Sequence, residues 1–174
     1  MDVIQRPLII SVIGGGFPPP EALIQAQEVG RELAKRGVAV VCGALTGVMD
    51  AVCKGAKEQG GLTIGILPGD SPEDSNPYVD IPICTGIGYS RNVTVVQTGR
   101  AVIAIDGSYG TLSEIGHALA ANTPVIGLGT WDISIYGKQD DNIIRAKDPV
   151  DAVVKAIKAA KLRDKGCKSN SKLS

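Results

Sequence analysis

Aromatic residues are scarce in this chain: one Phe, one Trp and four Tyr in 174 residues. A core must therefore be filled by Val, Ile, Leu and Ala, and the 44% hydrophobic content is ample for that. An excess of charge is also missing, because 18 basic residues balance 18 acidic ones. That balance argues against a general electrostatic role on nucleic acid or on an anionic membrane. No apolar run approaches the roughly 20 residues that a membrane-spanning helix needs. The run at 8–13 is too short for a secretory signal and leads straight into glycines, so none is expected. The four cysteines, Cys42, Cys53, Cys84 and Cys167, have neither C-x-x-C nor metal-ligand spacing. Reduced thiols and a cytoplasmic location follow from that, and no metal site is expected.

Glycine is what the chain has in quantity, 22 residues without a collagen-like period. Among clear apolar runs this means many tight turns. Short β-branched runs at 8–13, 38–42, 62–67, 100–105 and 124–129 read as buried strands. The run at 81–83 reads as an edge strand, because Pro82 cannot donate to a central ladder, and 142–145 as a last short strand. Helices are expected from Pro20 or Glu21 to the glycine cap at Gly37, and from Thr46 or Gly47 to Gly60. Others follow at 90–97, at 111–121, and from an Asp148 cap with Pro149 in the first turn. The inward stripes read as Leu23, Ala26, Gly30 and Leu33 in the first helix and Met49, Val52, Cys53 and Ala56 in the second. Leu112, Ile115 and Leu119 serve the fourth, and Val150, Val153, Val154 and Ile157 the last. Residues 130–141 give no clear periodicity. Strand–helix alternation predicts one α/β domain over 1–163, with a doubly wound, mainly parallel, Rossmann-like sheet and helices on both faces. Residues 164–174 read as a disordered basic tail.

In such sheets ligands bind beyond the carboxyl ends of the strands. Three glycine loops fall there. Gly14, Gly15 and Gly16 follow the first strand, and Gly43, Thr46 and Gly47 follow the second. Gly107, Ser108, Tyr109, Gly110 and Thr111 lie between a strand and a helix. Backbone N–H groups and a helix N-terminus converging on one point make an anion site without any basic side chain. A single phosphate-bearing ligand is expected there. The first loop does not complete Gly-x-Gly-x-x-Gly, since Pro19 holds the last position, so a dinucleotide is not indicated. Thr111-Leu112-Ser113-Glu114 also has the form of a capping box, which gives Glu114 two readings, helix cap or site residue. Arg91 opens a helix, where a cation opposes the local dipole; it reads as a phosphate clamp or as a solvated surface residue, with Asn92 beside it to orient a polar ligand group.

Asp106-Gly107-Ser108-Tyr109-Gly110-Thr111-Leu112-Ser113-Glu114 resembles the Pro-Gly-Gly-x-Gly-Thr-x-x-Glu signature of the lonely-guy family of cytokinin-activating phosphoribohydrolases. Gly43 to Met49 looks like that family's glycine loop, and Ser90-Arg91-Asn92 matches the place of its functional arginine. The chain is most similar to a shorter branch of the superfamily, the molybdenum cofactor carrier proteins, through 55–69 and 79–88. Asp106 and Ser108 stand where the enzyme signature has Pro and Gly. The carrier resemblance implies a protein that binds a molybdopterin-like or nucleotide ligand. The enzyme resemblance implies hydrolysis of the N-glycosidic bond of a nucleoside 5′-monophosphate, with Arg91 and Glu114 as catalytic residues. Neither requires a cofactor for chemistry, and both imply a homo-oligomer, a dimer or larger.

Overall fold

A computed structural model describes residues 6–170 and the side chains of 6–164. The chain runs β1 (Ile9–Gly14), α1 (Pro20–Lys35), β2 (Ala39–Cys42), α2 (Val48–Glu58), β3 (Thr63–Leu67), β4 (Ile81–Cys84) and α3 (Arg91–Thr98). It continues with β5 (Val102–Ile105), α4 (Tyr109–Ala120), β6 (Val125–Leu128), the hairpin β7 (Ser134–Ile135) and β8 (Lys138–Gln139), β9 (Ile143–Arg145) and α5 (Pro149–Asn170). Seven strands pair in the order β4-β3-β2-β1-β5-β6-β9, every pair parallel. This is the doubly wound α/β architecture expected from the alternation, with the Pro-containing β4 at an edge.

The strands are short and bury both faces. Ile10, Val12, Val40, Cys42, Ile103 and Ile105 point into a layer with α1, α2 and α5. Ile13, Val41, Val102 and Ala104 point the other way, against α3 and α4. The period of two assigns each residue its layer, so both layers draw on the same apolar runs.

The helices α1 and α5 differ in part from the sequence reading. In α1 the inward residues are Ala22, Ala26, Val29, Gly30 and Leu33, while Leu23 is 37% exposed. The face is set by close approach to α2: a Cβ on Gly30 would stand 2.1 Å from the Val52 carbonyl oxygen. Small residues, not the bulkiest, mark the contact. The same holds in α5, where Ala152, Val153, Ala156 and Ala160 are buried and Val150 and Val154 are exposed. The α5 helix also runs on through 164–170, a stretch expected as tail; residues 171–174 lie outside the described residues. Asp148 caps it, its Oδ1 accepting the Asp151 N–H at 2.8 Å.

The order of the strands reverses between β1 and β5. The chain leaves β1 toward β2 on one side and leaves β5 toward β6 on the other. The loops after these two strands therefore part and open a crevice at the carboxyl edge.

Candidate functional site

A pocket of about 280 Å³ occupies that crevice. Its walls come from the loops after β1, β2 and β5, from the start of α3, and from the first turns of α4. Gly14, Gly16, Gly43 and Thr46 line it, as do Arg91, Asn92, Ser108, Gly110, Thr111 and Glu114. Gly15, Gly47, Gly107 and Tyr109 do not.

Two of those four hold the loops together instead. The Val48 N–H donates to the Gly15 carbonyl at 3.0 Å, and the Thr46 hydroxyl donates to the Gly16 carbonyl at 3.1 Å. Gly47 lies under this contact with φ +70°, and a Cβ there would stand 2.4 Å from the Gly15 oxygen. Gly47→Ala is expected to destabilise the protein by about 2–4 kcal/mol, through backbone strain and the clash together. Urea unfolding measures this; an unchanged midpoint would contradict the contact.

The opening of α4 differs from the capping-box reading. The helix begins at Tyr109, with Ser108 in the N-cap position and making no side-chain capping bond. Thr111 is thus already the third helical residue. It cannot cap, and its buried Oγ1 has no hydrogen-bond partner. Glu114 has no N-cap threonine to reach back to. It faces Arg91 instead, with Oε1 3.7 Å from Nη1. Tertiary charge pairing has replaced the local cap.

Arg91 is not a surface residue: it is 5% exposed. Its Nη2 donates to the Gly43 carbonyl at 3.2 Å, and its Nη1 donates to Asn92 Oδ1. Gly43 is required here, because a Cβ would stand 2.5 Å from Nη2. Burial pulls Arg91 below the ordinary arginine value, against the raising influence of Glu114. Its Nε has no partner. The buried Glu114 carboxyl is pushed up to about 7 by burial, which outweighs the lowering pull of Arg91. The site therefore holds a cation with a spare donor, a free hydroxyl, a helix N-terminus, and a carboxyl poised to exchange its proton near neutrality.

Asp106 stands where the enzyme signature has proline, but it does not face the pocket. Its backbone takes φ +51°, and its Oδ2 lies 3.1 Å from where a Gly15 Cβ would be. Its carbonyl accepts the Thr130 hydroxyl at 2.5 Å. The acid is tucked against the first loop and does not line the pocket.

The pocket also has walls that sequence reasoning did not assign: Val12 and Ile13 of β1, Phe17, Leu45, Met49 and Tyr89. Phe17 and Tyr89 adjoin residues that were singled out, Gly16 and the Ser90-Arg91-Asn92 segment. Their signal was adjacency in a chain poor in aromatics. Cys42 and Cys53 lie below, buried, with sulfurs 3.5 Å apart and both thiols free. Among the described residues no three His, Cys, Asp or Glu side chains gather as a metal site, and no helix is long and apolar enough to cross a membrane.

The SLOG cluster4 family model matches residues 7–161. The chain belongs to the SLOG cluster4 family. An uncharacterised protein of Archaeoglobus fulgidus is 42% identical to it over 119 residues, covering 68% of this chain and 78% of that protein. Among solved structures, the molybdenum cofactor carrier protein of Chlamydomonas reinhardtii superimposes with a TM-score of 0.80 at 34% identity, over 88% of this chain and 98% of the other. The molybdenum cofactor binding protein of the phototrophic bacterium Rippkaea orientalis gives a TM-score of 0.79 at 34% identity, over 89% and 98%. The resemblance to the carrier branch, first visible in 55–69 and 79–88, thus extends across the fold of this SLOG cluster4 chain. The switch-point pocket lies within the matched region.

Proposed function

We propose that this protein binds and carries a phosphorylated heterocycle of the molybdopterin type, with the phosphate seated between Arg91 and Thr111 at the N-terminus of α4. The observation that carries this reading is the pair of buried polar atoms without partners, Arg91 Nε and Thr111 Oγ1, both on residues that line one pocket. Buried polar groups are normally satisfied. Two unsatisfied donors beside a helix N-terminus are complementary to an oxyanion. The relatives of known structure, a carrier and a binding protein of the molybdenum cofactor, supply the class of cargo. Protein purified without oxygen is expected to retain a pterin phosphate, and molybdenum where the cargo is metallated. Mass spectrometry and elemental analysis read both. Finding no bound phosphate compound, together with no thermal shift from any phosphorylated heterocycle, would contradict the reading.

A second reading is favoured by Glu114. A carboxyl held near 7 beside a pocket is suited to general acid–base work at neutral pH. In that reading water adds across the N-glycosidic bond of a nucleoside 5′-monophosphate, giving the free base and ribose 5-phosphate. Glu114 handles the water proton or faces the positive charge developing at C1′, while Arg91 holds the phosphate. Release of ribose 5-phosphate that is lost in Glu114→Gln supports this chemistry; no release from any nucleoside monophosphate removes it.

A further inference from the structure

We infer that Phe17 and Tyr89 form an aromatic subsite at the pocket mouth that receives the planar ring of the ligand. The inference rests on the phosphate reading and adds to it the part of the ligand that Arg91 and Thr111 do not address.

The first ground is distribution. The chain has only six aromatic residues. Two of them, Phe17 and Tyr89, line this pocket. Two more, Tyr109 and Trp131, pack against each other outside the lining, with ring centroids 5.9 Å apart and planes tilted by 35°. The Trp131 Nε1–H donates to the carbonyl of Ser108, itself a lining residue, at 3.3 Å. A fold that fills its core with aliphatic residues has placed two of its six rings on the wall of this pocket.

The second ground is exposure. Phe17 is 99% exposed and Tyr89 85%. A single exposed apolar residue is ordinary, but two exposed rings on the wall of the pocket that holds a buried Arg91 are not scattered singly. Their backbones are anchored. Phe17 follows Gly16, whose carbonyl accepts the Thr46 hydroxyl, and precedes the stiff run Pro18-Pro19-Pro20. Tyr89 sits in a single 3₁₀ turn, Gly88–Ser90, that leads directly into Arg91, and the Gly88 N–H donates to the Pro68 carbonyl at 2.9 Å. The backbones that carry both rings are therefore held beside the proposed phosphate seat.

The third ground is size. At about 280 Å³ the pocket lies just below the span of ligand sites, roughly 300 to 1,000 Å³. A phosphorylated heterocycle with its phosphate at Arg91 fills the interior with the phosphate and the adjoining atoms. Its ring then reaches the mouth, where a π-face finds Phe17 and Tyr89. Stacking on an aromatic side chain tolerates any planar ring, purine or pterin, because each presents a π-face.

The test uses the full chain and Trp131, its one tryptophan, as a fluorescence reporter beside the rim. AMP carries phosphate and ring; ribose 5-phosphate carries phosphate alone. The wild type is expected to bind AMP about tenfold to a hundredfold more tightly than ribose 5-phosphate, the range that stacking contributes. The Phe17→Ala/Tyr89→Ala double variant is expected to lose that gap while keeping its affinity for ribose 5-phosphate. Both side chains are exposed, so folding is not at issue. No gap in the wild type, or a gap that persists in the double variant, overturns the subsite and leaves the phosphate reading standing. Failure to bind either compound overturns the phosphate reading and the inference with it. Unchanged AMP binding with a shifted oligomeric state in the double variant would assign the rings to contacts between copies and overturn the subsite.

Discussion

Arg91→Met is expected to weaken AMP binding by roughly 100-fold, because it removes the charge-assisted hydrogen bonds at the phosphate, which contribute about 1.5–3 kcal/mol each. Arg91→Lys should recover only part of this. Lysine restores the charge but not the planar fork, and its ammonium cannot serve the Gly43 carbonyl, Asn92 Oδ1 and a phosphate from one fixed plane. Isothermal titration of the three proteins with AMP gives the series. Losing Arg91 also strips Glu114 of the charge that pulls it down, so its carboxyl should rise above about 7. Breaking a buried ion pair from one side is destabilising, by about 3–5 kcal/mol in a well-buried case. The Arg91→Met/Glu114→Gln double variant removes both charges and controls for that loss. If it binds AMP as tightly as the wild type, the guanidinium does not hold the phosphate.

The second large effect is on stability. The folded protein should lose stability as pH rises from about 4.5 to about 7, and the loss should come from Glu114. Its carboxyl titrates near 7 in the folded state and at the ordinary 4.5 when unfolded. Between those values the folded chain holds a proton that the unfolded chain has released. Each step up in pH therefore favours unfolding. Below 4.5 both states are protonated, and above 7 both are ionised and the loss is complete. A shift of this size corresponds to about 3 kcal/mol. Glu32 and Asp80 act in the opposite sense, since their lowered values give stability that is lost only as pH falls below the window. Urea unfolding of wild type and Glu114→Gln at pH 5, 6, 7 and 8 isolates the contribution. The wild type should fall relative to the variant across the series. Parallel curves would show that Glu114 is ionised throughout.

Much of the fold was legible because each strand is a β-branched run stopped by glycine or proline. Pro82 marked β4 as an edge, and Asp148-Pro149 marked the start of α5. The hairpin of β7 and β8 was not legible, since two-residue strands have no periodicity to show. The sequence reading turns Leu23 of α1 and Val150 and Val154 of α5 inward because they are large and apolar, yet all three are exposed. Ala26, Gly30 and Leu33 of α1 face inward as read, and Ala22 in α1 and Ala152, Ala156 and Ala160 in α5 take the remaining places, where backbones approach closely.

The lining of the candidate pocket was legible wherever a local rule and the tertiary structure agree, as at Gly14, Gly43 and Gly110. It misled where they compete. Thr111 and Glu114 have the spacing of a capping box, yet Glu114 answers a cation 23 positions away that no local pattern reveals. Burial of Arg91 depends on Gly43 lacking a Cβ, a relation between a loop and a helix start 48 residues apart. Phe17 and Tyr89 were passed over because single aromatics on loops carry no periodic signal.

In the proposed function a phosphate sits at the switch-point pocket, satisfied by Arg91 and Thr111. A crystal structure of the AMP complex tests it most directly. The phosphate oxygens should lie about 3 Å from Arg91 Nε and Thr111 Oγ1, against the first turn of α4. A phosphate found elsewhere, with Arg91 Nε and the Thr111 hydroxyl still without partners, would contradict the account.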